Sequence, residues 1–250
     1  MVLRIAAILV GMLLGVSVWQ CQSPGQIEKK FQEIRPSKLL PPCAWVNNAP
    51  LLSGSLVVSS AHQTLQGSFV CAIPEPSAFQ LLLRGPLGIP LAIVVGDSNR
   101  FQYYDVLAQT LYETDSLRKI ATAFAAAPQN AATYIRILIG CFDLQQWRSY
   151  RGSVDTLYRL HASVVERLIM DTTGLPREYQ WREHQSRQTF GVRYHAFRIA
   201  DTLLYPQKLR LYLPEHSIQA DIAIQQLQCG GEYDTTLFAI PDRGIRRIRL

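Results

Sequence analysis

Apolar and polar residues alternate with a period of two through most of the chain, in short runs set apart by Gly, Pro, Asn and Asp. Leu52 to Ser59, Thr64 to Ile73, Ala78 to Arg84, Leu91 to Gly96 and Phe101 to Asp105 read as strands on that ground. Their short connections predict an antiparallel meander. In the second run Leu65, Phe69, Cys71 and Ile73 share a face; in the third, Phe79, Leu81 and Leu83 do, with Gln80 and Arg84 pointing away. Strands resume at Val164 to Met170, Glu178 to Arg182, Phe190 to Ile199, Lys208 to Leu213, Gln219 to Gln225 and Ile245 to Leu250, about eleven in all.

Three stretches switch to helical spacing. Ser23-Pro24 opens one with Ile27, Phe31 and Ile34 on a narrow stripe, which Pro36, Pro41 and Pro42 end. Thr114 is read as the cap of a second, bearing Leu117, Ile120, Ala121 and Phe124. Asn130 caps a third, carrying Tyr134, Ile135, Leu138 and Ile139 up to Gly140. So many strands with one greasy face predict a curled sheet, since a flat one would leave a large apolar surface bare. The expected architecture is therefore mainly β with α: a half-open antiparallel β-barrel whose central helices cover an apolar interior. Whether they fill it as core or close it as a lid is left open by periodicity.

The first residues change the picture of where this domain works. Arg4 followed by the apolar stretch Ile5 to Val18 reads as an export signal over residues 1–20. As a helix, that stretch covers roughly 21 Å against about 30 Å of bilayer hydrocarbon, so export is favoured over a membrane span. Cys21 follows at once, in the position where bacterial lipoproteins receive their acyl anchor. Residues 21–26 then form a polar tether and 27–250 a single domain. The alternative is ordinary cleavage near Ser17 and a soluble periplasmic product.

Composition and charge narrow the chemistry further. With 48% hydrophobic and 18% charged residues the chain is neither disordered nor fibrous. The net charge is +6, with Arg243, Arg246, Arg247 and Arg249 crowded near one another. These read as a solvated strand edge or as a patch for anionic head groups. Export argues against a nucleic-acid partner.

Cys43, Cys71, Cys141 and Cys229 form no CxxC pair and have no zinc spacing, so no metal or cofactor is expected, and disulfide pairing stays open. There is no GxSxG, GxGxxG, P-loop or HExxH; His62, His161, His184, His195 and His216 are scattered. Glu183 and His184, next to each other on a strand, face opposite ways and make no acid/base pair. Asp97 and Asp105 read as turn residues. An enzyme is not expected.

One connection is unusual. Arg84-Gly85-Pro86-Leu87-Gly88-Ile89-Pro90-Leu91 joins two good strands, yet places Leu87 and Ile89 where hairpin loops normally hold polar side chains. It reads either as a loop folded back on the barrel mouth or as an apolar tip that enters a bilayer.

The order of these motifs resembles LolB and the LolB-like lipoproteins over roughly residues 27–250. The resemblance is carried by Phe79-Gln80-Leu81-Leu82-Leu83-Arg84-Gly85-Pro86-Leu87-Gly88 with Leu91-Ala92-Ile93, by Ile137-Leu138-Ile139-Gly140, by Tyr205-Pro206 leading into Leu209-Arg210-Leu211-Tyr212-Leu213, and by Phe238-Ala239-Ile240-Pro241. It implies an eleven-stranded half-open barrel, a helical lid and a cavity for acyl chains. It also implies a membrane-inserting loop in which Leu87 of Pro86, Leu87, Gly88 and Ile89 is the protruding leucine.

For the cavity, strand alternation supplies the candidates Phe69, Phe79, Leu81, Leu83, Ile93, Val95 and Leu211; for the lid, Leu117, Ile120, Phe124, Ile135 and Leu138. The function so implied is an outer-membrane lipoprotein, anchored at Cys21 on the periplasmic face. It binds acyl chains of lipoproteins or other lipids, receives them as a monomer from a LolA-like periplasmic carrier, and assists lipoprotein localisation. The alternatives are a periplasmic carrier or sensor of another hydrophobic ligand and a non-catalytic envelope scaffold with a filled core.

Overall fold

The computed structural model describes residues 50–75, 77–97, 100–115, 131–149, 155–161, 164–184, 189–200, 203–230 and 233–250. The expected signal, Cys21, the helix beginning at Ser23, and the lid residues Leu117, Ile120 and Phe124 lie outside them.

The first six strands are β1 (Leu51–Ser59), β2 (Thr64–Glu75), β3 (Ala78–Arg84), β4 (Pro90–Gly96), β5 (Phe101–Asp105) and β6 (Thr110–Thr114). A short helix α1 (Ala131–Leu138) precedes β7 (Arg148–Ser149), β8 (Thr156–His161), β9 (Val164–Met170), β10 (Pro176–Glu183), β11 (Thr189–Ala200), β12 (Leu203–Leu213), β13 (Ile218–Gln228) and β14 (Arg246–Arg249). The order β7-β8-β9-β10-β11-β12-β13-β1 forms one wall and β2-β3-β4-β5-β6-β14 the other, every pair antiparallel except β14 on β6. The walls join where β1 turns into β2 at Ser60–Gln63, and the Ile73 amide donates to the Pro50 carbonyl at 2.9 Å. Among the described residues no ladder links β7 to β14, so the sheet is curved and open rather than a closed barrel.

Alternation explains the curl. In β1, Leu52, Leu56 and Val58 point inward and are buried while Leu51, Ser53, Ser55 and Val57 are only half-buried. Phe69, Leu83, Val94, Tyr103, Tyr179, Val192, Leu209 and Ile222 continue the same concave face from strand to strand. α1 sits in that core: Ile135 and Ile137, with Ile139 just after the helix, are buried, and the Tyr194 hydroxyl donates to the Ile137 carbonyl. Gly140, at φ 72°, stops the helix in a left-handed turn that a side chain would strain. A second core lies on the convex side of β2 to β6, where Ala72, Leu82, Ile93, Tyr104 and Leu111 are covered by Phe238.

One expectation needs correcting. The described residues hold fourteen strands rather than about eleven, the additional ones being β6, β7 and β8. Thr114 is the buried last residue of β6, paired with Phe101, and the helix expected after it lies outside the described residues. Of the two roles left open for the central helices, the one described helix, buried in the concave core, fills space there. The C-terminal arginines lie on or beside the edge strand β14, where Arg246, Arg247 and Arg249 are exposed. That agrees with a solvated edge, where charge discourages strand addition.

Candidate functional site

The β3–β4 loop is a tight, apolar projection. The Gly85 amide donates to the Ile89 carbonyl at 2.8 Å and the Gly88 amide to the Gly85 carbonyl at 3.2 Å, closing a single turn over Pro86–Gly88. Proline fixes its own φ, and the chain then reverses through Leu87 (φ 62°, ψ 15°) and Gly88 (φ 74°). A left-handed leucine costs about 1–2 kcal/mol, and no packing offsets it here, because Leu87 is 97% exposed. Ile89 is 53% exposed, and Pro86, Gly88 and Pro90 are exposed as well. The two closing hydrogen bonds and Pro86 hold the leucine outward, away from its own core, against that strain.

The candidate cavity residues divide between the two faces of the sheet. Phe69 and Leu83 are buried in the concave core, and Phe79, Leu81 and Leu211 are partly buried against it. Ile93 belongs to the convex core, and Val95 packs against that same core. The register gives the reason: Leu81 pairs with Val94 and Leu83 with Ala92, so those residues take the concave positions of β4. With both faces of this strand covered, Leu91 to Val95 is apolar throughout and alternation cannot assign a side. The lid candidate Ile135 is 4% exposed in the concave core and Leu138 packs against its rim.

Aromatic side chains that alternation alone did not single out dominate the concave interior. Phe142 stacks on Tyr179 with ring centres 5.4 Å apart and meets Trp147 edge-on at 6.0 Å; Tyr103 and Tyr112 are tilted together at 5.8 Å. The Tyr103 hydroxyl is buried without a hydrogen-bond partner, and desolvation raises its pKa well above the usual range. At the β8–β9 side an ion pair also faces inward: Arg159 meets Glu166 at 2.5 Å and lies 5.2 Å over the Trp147 ring. Glu166 is 6% exposed and paired opposite Trp181. Tyr179 and Trp181, two residues apart in β10, were the available sequence signal, hidden because Glu166 interrupts the greasy face of β9.

The outer wall is polar. Glu178 accepts from the Tyr212 hydroxyl at 2.7 Å and from Gln180 at 2.7 Å, with Arg167 and Arg193 at 3.8 and 3.6 Å. Arg210 forms a two-point contact with Asp221 at 2.6 and 3.0 Å. A cleft of 420 Å³ along this wall is lined by Arg193, Arg210, Tyr212 and Gln219, and another of 520 Å³ by Arg100, Glu113, Asp115 and Arg249. The second is charged in lining and suits a polar ligand better than a fatty chain, whereas the first sets its two arginines beside Ala61, Pro214 and Ile218.

Cys141 is disulfide-bonded, whereas Cys71 is a thiol whose pKa desolvation pushes up to about 12. Among the described residues no His, Cys, Asp and Glu group could hold a metal, and no helix is long and apolar enough to cross a membrane.

No family model matches the chain, and no curated protein does. Solved structures do. A DUF1329 family protein from Desulfovibrio piger aligns over 77% of this chain and 90% of its own, at 10% identity and a TM-score of 0.53. A putative outer membrane lipoprotein-sorting protein domain from Vibrio parahaemolyticus aligns over 85% and 94%, at 8% identity and a TM-score of 0.50. A LolA superfamily protein from Nitrosomonas europaea aligns over 88% and 98%, at 10% identity and 0.49. At such identities the first two likenesses establish a common fold: a curved, open, mostly antiparallel sheet around one concave core.

Proposed function

We propose that this chain, which has a LolA/LolB-like fold, is a non-catalytic envelope protein that binds acyl chains and assists the localisation of lipoproteins at the outer membrane. The observation that carries the reading is Leu87, 97% exposed and held in a left-handed turn at the tip of the β3–β4 loop. A fixed apolar tip gains free energy only by leaving water, and a bilayer offers that. Full burial of one leucine is worth roughly 1.5–3 kcal/mol, enough for reversible contact and too little for permanent attachment.

In this reading Cys21 carries a lipid anchor on the periplasmic face and a LolA-like carrier delivers the cargo to a monomer. Phe79, Leu81 and Leu211, partly buried on the concave face, are its contact points. Each methylene removed from water contributes about 0.8 kcal/mol, so a lipoprotein needs such shelter in transit and release needs a better solvent, the membrane. The disulfide at Cys141 fits an oxidising compartment. In a strain whose only copy carries Leu87→Glu, outer-membrane lipoproteins are expected to accumulate elsewhere in the envelope; normal sorting rules the insertion role out.

A second reading, an envelope scaffold, is favoured by the filled concave core, where Tyr103, Tyr179, Tyr205 and Phe190 are all below 2% exposed. Native mass spectrometry decides between them. Co-purifying lipid, and displacement of a fluorescent fatty acid, support the carrier; absence of both supports the scaffold.

A further inference from the structure

The apolar loop between β3 and β4 has a neighbour. Ala92 pairs with Asp105 and Asp105 with Thr110, so the turn between β5 and β6 emerges at the same end of the sheet as Pro86–Ile89. The two hairpins are adjacent, and at about 4.8 Å per strand their tips lie roughly 10 Å apart. They are also tied together: the Val106 amide donates to the Leu91 carbonyl at 3.0 Å.

The second turn, like the first, is held rigidly with its leucine outward. Asp105 accepts from the Ala108 amide at 2.9 Å, the Thr110 hydroxyl donates to the Ala108 carbonyl at 2.9 Å, and Gln109 is left-handed at φ 50°. Leu107 is thereby left 67% exposed, with Ala108 exposed beside it. Between Gly85 and Leu91, and again from Val106 to Gln109, there is no charged residue. Asp105 at the base of the second turn is buried.

The opposite end of the same strands differs. There the β2–β3 connection carries Glu75 and the β4–β5 connection Asp97 and Arg100, all exposed. The tips of these two hairpins are thus apolar and the turns at the opposite end charged, while Asp242, Arg243 and Arg246, exposed where β14 enters beside the β5–β6 turn, flank the apolar tips with mostly basic charge. Two separated convex tips offer no groove for a peptide or helix; a fluid hydrocarbon layer accommodates both at once.

Resting on the membrane contact proposed above, we infer that the β5–β6 turn is a second insertion element. Leu107 enters a phospholipid bilayer together with Leu87 and Ile89, and the wall stands end-on to the surface. Two tips roughly 10 Å apart also fix an orientation that one alone cannot.

The test is photo-crosslinking of the full chain on vesicles of phosphatidylethanolamine and phosphatidylglycerol, with single substitutions Leu87→benzoylphenylalanine, Leu107→benzoylphenylalanine and, as the opposite-end control, Asp97→benzoylphenylalanine. Phospholipid adducts at positions 87 and 107 and their loss at 97 are expected. An adduct at 87 without one at 107 overturns the second element and leaves the first reading standing. Absence at both overturns the two together. Adducts at 107 to protein alone, in intact envelopes, overturn the bilayer as the occupant. All three positions are exposed on turns, so unaltered circular dichroism is expected and confirms that each variant is folded.

Discussion

Replacing Leu87 by glycine should move stability and membrane binding in opposite directions. The native residue sits at φ 62°, ψ 15°, a conformation that costs a leucine about 1–2 kcal/mol and glycine almost nothing. Because the side chain is 97% exposed, its removal takes no packing from the core. Glycine does add freedom to the unfolded chain, which offsets about 0.4–1 kcal/mol. The net expectation is a folded state more stable by up to about 1 kcal/mol, a rise in Tm of roughly 2–4 °C for a domain of this size.

Vesicle binding should fall instead. Losing a nearly complete leucine burial of roughly 1.5–3 kcal/mol corresponds to a decrease of about 10- to 150-fold in partitioning. Urea or thermal unfolding followed by circular dichroism reads the first quantity, and vesicle flotation at several lipid concentrations reads the second. Leu87→Asn, which tolerates the left-handed region, should lose binding in the same way and separates backbone strain from apolar contact. A clear drop in stability for Leu87→Gly would show that the leucine packs somewhere in the native state. Unchanged flotation would show that the tip does not meet lipid. Either result refutes the reasoning.

Two further outcomes follow from the packing and the charges. Phe238→Ala, which uncovers Ile93, Tyr104 and Leu111 on the convex face, should destabilise the fold by about 3–5 kcal/mol in urea unfolding. A variant within about 1 kcal/mol of wild type would show that the C-terminal segment does not clamp this wall. Glu113, buried and hydrogen-bonded by Arg100, then by Gln102 at 2.9 Å, is held below the usual glutamate pKa of 4.5. The unfolded chain therefore takes up its proton first as acid is added. The stability Glu113 contributes is whole above that usual value and is lost as pH falls through the depressed one. Urea midpoints of Glu113→Gln should lie below wild type at neutral pH and converge with it in acid; parallel curves would refute the assignment.

What the sequence reveals depends on how many sides of a strand are covered. Phe69, Leu81 and Leu83 could be assigned to one face because polar neighbours such as Gln80 mark the other. Ile93 and Val95 could not, because the cover over their face comes from Phe238, far along the chain, and nothing local announces it. β6 is not singled out as a strand by its sequence, because Thr110, Glu113 and Thr114 look solvent-facing. They are buried since Arg100 and the parallel strand β14 close over that edge. Leu87 was legible because a leucine between proline and glycine breaks the usual chemistry of turns. Leu107 was not, since Val106-Leu107-Ala108 extends an apolar strand pattern without a break.

The pairing of Arg246–Arg249 along Thr110–Glu113 has a kinetic consequence. Every other ladder except the one between β1 and β13 joins neighbours in the chain and can zip locally, whereas this one must close a loop of more than a hundred residues before it gains anything. The rim of β6 therefore waits, with bare amides and carbonyls, until the last strand arrives. In that interval it is the place where a second, half-folded copy could attach by mistake.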